Sequence, residues 1–442
     1  METLDIVGWS LIWVVVVLGV MIFVHELGHY LMAKFLGIRV EVFSLGFGPR
    51  LIGFQKGPTD YRISAIPLGG YVKMRGENYD EELTGSEDEF LSRPKTHRLA
   101  VAVAGPFMNI AMAVVLLACI YMAGVQVPVY LSQAPVIGHV AEKSPAADAG
   151  LQQGDQILSV GGIQTPTWES LQLTVATDPG QTIPVEILRQ GETFERLVHI
   201  AEDPRTGAGL LGVDPPLQTV IMSVEPGSPA ARAGLEQHDI IESVEVNGEK
   251  ADLPPGITNL VSKNRGVPVE FTIQRGQQTL TRMITPTEID GDVRVGFAMV
   301  ATPDFDAKIE RYGLVTAFRK SVERNYQMTV LTFRIVGKLV TGTTSIRMMS
   351  GPIDIARFSG QAASAGPLAL IGLISLISLQ LGIFNLLPIP ILDGGMIALL
   401  FIEAVIGRDL SLKAKERIFQ VGFIFLILLM SVVIFNDIAK IM

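Results

Sequence analysis

The sequence holds very little cysteine, since Cys119 is the single one among 442 residues. An intramolecular disulfide is therefore excluded, and so is a zinc knuckle built from cysteines. Cys119 lies inside a long apolar run, so we interpret it as a small apolar side chain that packs or faces lipid.

Charged side chains are also scarce, at 18% of the chain, whereas hydrophobic residues reach 48%. Soluble domains usually carry about 25% charged residues. The formal net charge is −9 and no stretch forms a basic block, which argues against nucleic acid as a partner. The composition therefore predicts a membrane protein.

Four stretches are long and apolar enough to cross a bilayer, which takes roughly 20 residues of helix. They are Ile6 to Val24, Leu99 to Gly124, part of the charge-free segment Phe358 to Leu392, and Ile418 to Phe435. No basic region precedes the first stretch, which disfavours a cleaved signal peptide. The prediction is a polytopic α-helical membrane protein with four transmembrane helices.

Lysine and arginine concentrate in two short connections, and such residues favour the cytoplasmic side of a membrane. Ten lie between the first two spans, and Arg408, Lys413, Lys415 and Arg417 lie between the last two. Both connections are therefore predicted to be cytoplasmic. The two termini and residues 125–365 then face the periplasm, if the protein sits in the inner membrane of a Gram-negative cell.

The long segment between the second and third spans contains an internal repeat. Ser144-Pro-Ala-Ala-Asp-Ala-Gly-Leu151 recurs 84 residues later as Ser228-Pro-Ala-Ala-Arg-Ala-Gly-Leu235. A repeat of this length suits two small globular domains in tandem. The copies resemble circularly permuted bacterial PDZ domains, which are α+β folds that bind extended peptides or chain ends. The alternative is that both copies are spacers without a ligand.

Two further observations concern this segment. The position of Gly154 in the first copy is occupied by His238 in the second, which predicts a slightly altered turn. Beyond the repeat, residues 306–350 mix apolar and basic side chains, which suits amphipathic helices on a membrane surface. Ordinary packing against the second repeat explains that pattern equally well.

The first span ends in His25-Glu26-Leu27-Gly28-His29, an HExxH motif. On a helix the two histidines share a face, so both imidazoles can bind one metal ion. Glu26 can then hold and deprotonate a water molecule. Ionisable groups at membrane depth are costly unless they are paired or hydrated, and this favours a metal site over histidines that are merely hydrogen-bonded.

A catalytic zinc site takes three protein ligands, so a third must come from elsewhere in the chain. Asp393 borders the third span in Asn385-Leu-Leu-Pro388-Ile-Pro390-Ile-Leu-Asp393-Gly-Gly395. The prolines interrupt the helix, and irregular backbone at membrane depth is tolerated where it lines a cavity. The Asp393 carboxylate is therefore predicted to face a polar site; the alternative is a helix cap at the membrane edge.

The HExxH motif in the first span, together with NxxPxPxLDGG in the third, resembles the site-2 protease family, peptidase family M50. The resemblance extends over essentially the whole chain. It implies one zinc ion bound by His25, His29 and Asp393, with Glu26 as the catalytic base. It also implies cleavage of transmembrane segments in regulated intramembrane proteolysis, acting on a pre-trimmed single-span anti-sigma factor and on remnant signal peptides.

These observations predict the following segments of the chain: a first span with HExxH (1–36), a cytoplasmic loop with a membrane-associated hairpin (37–97), a second span (98–124), two PDZ domains (125–213 and 214–303), an amphipathic connector (304–365), a third span (366–400), a cytoplasmic loop (401–416) and a fourth span (417–440).

The resemblance also suggests residues that contact substrate: Gly69, Gly70, Gln380, Asn385, Pro388 and Pro390. Gly69 and Gly70 belong to a glycine-rich segment that by itself indicates only a short hairpin. Two positions depart from the family pattern. Gln380 stands where members often have Asn, and Met396 stands where many have His.

Two other functions are alternatives to proteolysis. One is a membrane-anchored PDZ scaffold in which the metal motif is inert. The other is a metal transporter, which the spare Glu26 and the absence of an inverted repeat make less plausible.

Overall fold

The structure is a computed structural model that describes residues 2–78, 83–289, 292–303 and 307–441. The chain forms two compact units. The helical unit comprises Met1–Val125 and Glu310–Met442, and the inserted unit comprises Gln126–Ile309. The predicted loop 37–97, second PDZ domain 214–303 and connector 304–365 include residues 79–82, 290–291 and 304–306, which lie outside the described residues.

The α-helices of the described residues are α1 (Glu2–Phe35), α2 (Lys95–Ala123), α3 (Pro145–Asp148), α4 (Trp168–Ala176), α5 (Pro229–Arg232), α6 (Pro254–Lys263), α7 (Leu314–Val340), α8 (Pro352–Ala365), α9 (Pro367–Asn385), α10 (Asp393–Ile406) and α11 (Leu412–Ile441).

The strands of the same residues are β1 (Val40–Lys56), β2 (Thr59–Met74), β3 (Val125–Pro128), β4 (His139–Val140), β5 (Gln156–Val160), β6 (Ile163–Gln164), β7 (Thr182–Arg189), β8 (Glu192–His199), β9 (Ala201–Glu202), β10 (Gly209–Leu210), β11 (Val213–Asp214), β12 (Leu217–Val224), β13 (Ile240–Val246), β14 (Glu249–Ala251), β15 (Val269–Arg275), β16 (Gln278–Ile284), β17 (Thr287–Ile289), β18 (Asp292–Arg294), β19 (Phe297–Pro303) and β20 (Ala307–Glu310).

Four helices of the described chain are long and apolar enough to cross a membrane. The segments are Gly8–Phe35, Lys95–Ala123, Pro367–Asn385 and Lys413–Lys440, and each overlaps one of the four predicted stretches. Large apolar side chains such as Phe107, Val421 and Phe435 are exposed on them, as expected of a surface that lipid covers. These helices agree with the prediction of a polytopic helical membrane protein.

Close contacts join α2 to α1 and to α9. A Cβ atom added to Gly28 would lie 2.3 Å from the Ala104 carbonyl oxygen, so α1 approaches the α2 backbone directly. From α9, Ser375 Oγ donates to the Ala113 carbonyl at 2.9 Å, and Ser378 Oγ donates to the Asn109 carbonyl at 2.8 Å. Small and hydroxyl-bearing residues permit this approach inside a membrane. The backbone of α2 is thereby fixed against two neighbouring helices.

The hairpin of β1 and β2 is longer than the short hairpin predicted from its glycines, with strands of 17 and 16 residues. Residues 42–45 of β1 pair with residues 60–63 and also with residues 70–73 of β2. Gly46 and Gly48 adopt positive φ, which allows the register shifts at this bend. The prediction was too short because glycines that usually end a strand here only bend it.

The inserted unit has two larger sheets, each with its own core, beside the two-stranded sheets β9–β10, β4–β11 and β17–β18. The first half has strand order β6-β5-β7-β8 and a core around Ile157, Trp168 and Ile187. The second half has strand order β16-β15-β13-β12-β19, with β14 beside β13, and a core that includes Phe271. The residues of each core come from its own half of the unit.

Equivalent contacts recur in the two halves at the offset of the sequence repeat. Ser144 accepts a hydrogen bond from the Ala147 N–H at the start of α3, and Ser228 accepts one from the Ala231 N–H at the start of α5. The turn that differs in sequence keeps its conformation, because Gly154 and His238 both have positive φ, at 90° and 72°.

A buried aspartate joins the short helix to a strand in each half. Asp155 accepts two hydrogen bonds from Arg189, at 2.6 and 2.7 Å, and Asp239 accepts two from Arg275, at 2.7 and 2.8 Å. Both aspartates are 1% exposed. Burial alone would raise the pKa of Asp155, but the Arg189 guanidinium and the Gln152 N–H outweigh it and hold that pKa below its ordinary value.

Arg189→Ala is expected to destabilise the first half of the inserted unit by about 3 kcal/mol, because it leaves a buried carboxylate without its partner. The wild-type contribution is present above the ordinary aspartate pKa of about 4 and is lost as the pH falls through the lower folded value. The measurement is thermal unfolding followed by the fluorescence of buried Trp168, with Trp9 and Trp13 replaced by Phe.

The matched control for this prediction is Arg196→Ala on β8, whose guanidinium lies over the Phe194 ring, 5.6 Å from its centre. It is expected to shift the transition by much less. Equal shifts for Arg189→Ala and Arg196→Ala would contradict the assigned role of the Asp155 pair.

Candidate metal centre

His25 and His29 lie one turn apart on α1, and their Nε2 atoms are 3.2 Å apart. Both residues are less than one-tenth exposed. Nδ1 of His29 lies 2.8 Å from the Val101 carbonyl oxygen of α2. Because a carbonyl only accepts, the ring proton of His29 is on Nδ1, and Nε2 carries the lone pair in the neutral ring. His29 is therefore oriented to bind an electrophile through Nε2.

Asp393 is brought to the histidines from the other end of the sequence. It is the first residue of α10, preceded by Leu392 at the N-cap position. One carboxylate oxygen lies 3.1 Å from His25 Nε2 and the other lies 3.4 Å from His29 Nε2. Its carboxylate is thus directed at the imidazoles, and it does not occupy the capping position considered from the sequence.

The segment between α9 and α10 places this aspartate. Residues 386–392 are not helical. They pack so closely on the first turn of α10 that a side chain would not fit at Gly394 or Gly395. A Cβ atom at Gly394 would lie 2.1 Å from the Leu387 carbonyl oxygen, and one at Gly395 would lie 2.4 Å from the Ile389 carbonyl oxygen. Ile391 has φ of 87°, which is strained for a β-branched residue. The ligand position depends on this compact turn.

The donor set fits zinc. One ligand atom from each of His25, His29 and Asp393 can be chosen so that all three lie within 4.8 Å of one another. Ligands about 2.0–2.1 Å from a tetrahedral zinc ion lie about 3.3 Å apart, which matches the 3.2 Å between the two Nε2 atoms. The Asp393 carboxylate approaches each Nε2 at a similar distance, 3.1 Å through one oxygen and 3.4 Å through the other. Two imidazoles and one carboxylate are a known set of three ligands for a catalytic zinc ion.

Gly105 of α2 keeps this position accessible. A Cβ atom there would lie 2.3 Å from His29 Nε2 and 2.9 Å from His25 Cε1. Contacts below 3.0 Å force a displacement. Glycine at this position is therefore required for both imidazoles to keep their orientation next to α2.

Glu26 lines a cavity of about 430 Å³ together with the three ligand candidates. Its carboxylate accepts a hydrogen bond from the Val72 N–H of β2. The side chain is half-buried, so a water molecule in the cavity can reach it. A carboxylate in this position can hold a water molecule and take its proton.

Three of the residues predicted to contact substrate also line this cavity: Gly69, Gly70 and Asn385. Nδ2 of Asn385 is 3.5 Å from His25 Nε2. A Cβ atom at Gly70 would lie 3.3 Å from Glu26 Cγ, so the β2 backbone passes close to the catalytic helix. Met396, one of the two residues that depart from the family pattern, lines the cavity as well.

Within the described part of the chain, Gln380, Pro388 and Pro390 do not line the cavity. The Gln380 amide is hydrogen-bonded to Thr332 Oγ1 of α7, at 3.0 and 3.1 Å. Pro390 packs on α11, where a Cβ atom at Gly422 would lie 2.4 Å from the Pro390 Cβ atom. The structure therefore places the Gln380 amide against α7 and Pro390 against α11.

Three residues of α2 that lie against the histidines have no role in the sequence-based prediction: Val101, Gly105 and Asn109. They are spaced by four residues and so share one face of α2. Asn109 Nδ2 lies 3.2 Å from His25 Nδ1. A glycine and an asparagine four residues apart in an uncharged span are the available signal, because a membrane helix rarely carries a buried amide without a function.

The chain is similar to known proteins over nearly its whole length. Residues 13–429 match the family described as peptidase family M50. The chain is 34% identical to "Protease RseP" of Yersinia pestis and 32% identical to "Regulator of sigma-E protease RseP" of Escherichia coli K12, each over 98% of this chain and 99% of the relative. It is 33% identical to "Regulator of sigma E protease" of Salmonella typhi with the same coverage.

Proposed function

The chain belongs to peptidase family M50, and we propose that it cleaves transmembrane segments of other proteins at a zinc centre held by His25, His29 and Asp393. The observation that carries the proposal is the meeting of these three side chains with Glu26 around one cavity in a bundle of apolar helices. Asp393 lies more than 360 residues from the two histidines in sequence, so only the tertiary fold brings the three side chains together.

The catalytic roles follow from where each side chain lies. A zinc ion bound by the three residues would supply Lewis acidity toward the scissile carbonyl and toward a water molecule. Glu26 takes the proton of that water and passes it to the leaving amine. The Val72 N–H holds the Glu26 carboxylate in place for both transfers.

The substrate must lose helical structure before it can react, because a transmembrane helix shields its peptide bonds through its own hydrogen bonds. The β2 backbone at Gly69 and Gly70 runs along the cavity, and the Asn385 amide faces it. These groups are suited to hydrogen-bond the released peptide groups of an extended segment. A substrate segment bound in extended form beside Glu26 would then place one of its peptide bonds at the metal centre.

The class of substrate is proposed from the names of the relatives. Two are called regulators of sigma-E protease, which suggests a pathway in which this chain cuts a pre-trimmed, single-span anti-sigma factor. Remnant signal peptides are a second proposed class, since they are also single apolar helices. Both would reach the centre from within the bilayer of the bacterial inner membrane.

We propose further that the inserted unit consists of two PDZ domains, over residues 125–213 and 214–303, on the periplasmic side with both termini. Support comes from the two separate cores and from the contacts repeated in each half. In this arrangement the connector 304–365 lies on the periplasmic side and the loops 37–97 and 401–416 lie on the cytoplasmic side. The active site then lies toward the cytoplasmic side. Peptides or chain ends are the proposed ligands of these domains.

The experiment that tests the function uses the full chain purified in detergent and a single-span test substrate. We expect about one zinc ion per chain by elemental analysis, cleavage within the apolar segment, and loss of cleavage on chelation with recovery on adding zinc. A chain that holds no zinc, or cleavage that persists after complete removal of the metal, would refute the proposal. Mass spectrometry of the products locates the cut.

A further inference from the structure

Asn109 of α2 is fully buried next to the candidate metal centre. Its Nδ2 lies 3.2 Å from His25 Nδ1, while its Oδ1 has no hydrogen-bond partner among the described residues. A buried amide oxygen without a donor costs about 1–3 kcal/mol, so such a group usually has a reason to be retained. The neighbouring imidazole supplies one.

The proton of His25 decides which end of the amide is needed. Nε2 of His25 faces Asp393 at 3.1 Å and His29 at 3.2 Å, so Nε2 is the atom available to a cation. A neutral imidazole that ligates through Nε2 carries its proton on Nδ1, and that N–H requires an acceptor. A half-turn of the Asn109 amide exchanges its two ends and places Oδ1 opposite Nδ1.

His29 already shows the same arrangement. Its Nδ1 donates to the Val101 carbonyl at 2.8 Å, which leaves Nε2 free. Val101 and Asn109 lie eight residues apart on one face of α2, with Gly105 midway between them. One face of α2 therefore contacts both imidazoles, with the Val101 carbonyl opposite His29 Nδ1, the Asn109 amide opposite His25 Nδ1 and Gly105 leaving space for the rings.

We propose that Asn109 is a positioning residue for the metal centre: its Oδ1 accepts the Nδ1–H of His25 and thereby fixes the tautomer and ring plane that leave Nε2 free to bind zinc. The inference rests on the proposed function, because it assigns a role within the same centre. Ser378 Oγ donates to the Asn109 backbone carbonyl at 2.8 Å, so α9 holds the α2 backbone in register while the amide turns.

The test measures zinc affinity of the full chain in detergent by competition with a chromophoric chelator. Asn109→Leu keeps the volume and removes the acceptor, and we expect it to weaken zinc binding about 10–100-fold. Asn109→Asp keeps an acceptor, and we expect affinity equal to or tighter than wild type. Thermal unfolding of the zinc-free variants is measured in parallel. We expect the ranking of the two variants by thermal stability to differ from their ranking by zinc affinity.

The matched control is Ser375→Ala, which removes another buried hydrogen bond between α9 and α2, to Ala113, without touching a histidine. It should bind zinc like wild type. Wild-type zinc affinity in Asn109→Leu would overturn the inference. So would equal losses in the Leu, Asp and Ser375 variants, because they would show a general packing effect. A wild-type chain without zinc would instead refute the proposed function, which is a separate result.

Discussion

Glu26→Gln is expected to lower the rate of substrate cleavage about 10²–10⁴-fold, the contribution typical of a general base. Glutamine preserves the size of the side chain and can still face the Val72 backbone, but it cannot take a proton from water. Zinc content should stay at the wild-type level, because Glu26 is not among the three ligand candidates. The measurement is cleavage of the single-span test substrate alongside metal analysis.

Glu41→Gln provides a matched control for this variant. Glu41 lies on β1, where it pairs with Lys73 at 3.0 Å, and it does not line the cavity. Cleavage by Glu41→Gln should be unchanged. A Glu26→Gln protein that retains zinc and cleaves at the wild-type rate would show that the base is another group.

Gly105→Ala is expected to have the second largest effect, although alanine normally stabilises a helix relative to glycine by about 1 kcal/mol. The added Cβ atom would lie 2.3 Å from His29 Nε2, the ligand atom itself. Overpacking of this kind costs about 1–3 kcal/mol. At the upper end this corresponds to about 100-fold weaker zinc binding, with cleavage falling in proportion.

The control for the glycine variant is Gly372→Ala on α9. The nearest atom to a Cβ there is Ile120 Cδ1 at 3.7 Å, an ordinary contact. Gly372→Ala should keep zinc affinity and cleavage. Wild-type zinc affinity in Gly105→Ala would show that α2 lies farther from the imidazoles than the structure places it.

The helices and the histidine pair were predictable because the signals are local. An uncharged run of about 20 residues identifies a span by itself. Residues i and i+4 share a helix face whatever surrounds them, so His25 and His29 could be paired from spacing alone. Asp393 could be proposed only because its setting is unusual, with prolines and glycines beside a carboxylate at membrane depth.

The remaining parts of the site depend on contacts between distant segments. The Gln380 amide is hydrogen-bonded to Thr332 on α7, and no local sequence pattern signals that pairing. Asn109 reaches His25 across 84 positions of sequence, and its importance appears only once α2 packs on α1. The hairpin exceeds its predicted length because residues 42–45 of β1 pair with two parts of β2, residues 60–63 and residues 70–73.

The left-handed backbone at Ile391 means that the candidate ligand Asp393 is held less firmly by its local backbone than the two histidines are. The histidines belong to a continuous helix, where the local φ and ψ are already at their minimum. The aspartate lies two residues after Ile391, whose conformation costs about 1–3 kcal/mol and persists only because neighbouring atoms hold it. Relaxation at Ile391 would therefore move the Asp393 carboxylate before it moved either imidazole. If a zinc ion is bound there, its exchange would begin at the carboxylate, while the two imidazoles on α1 stay in place.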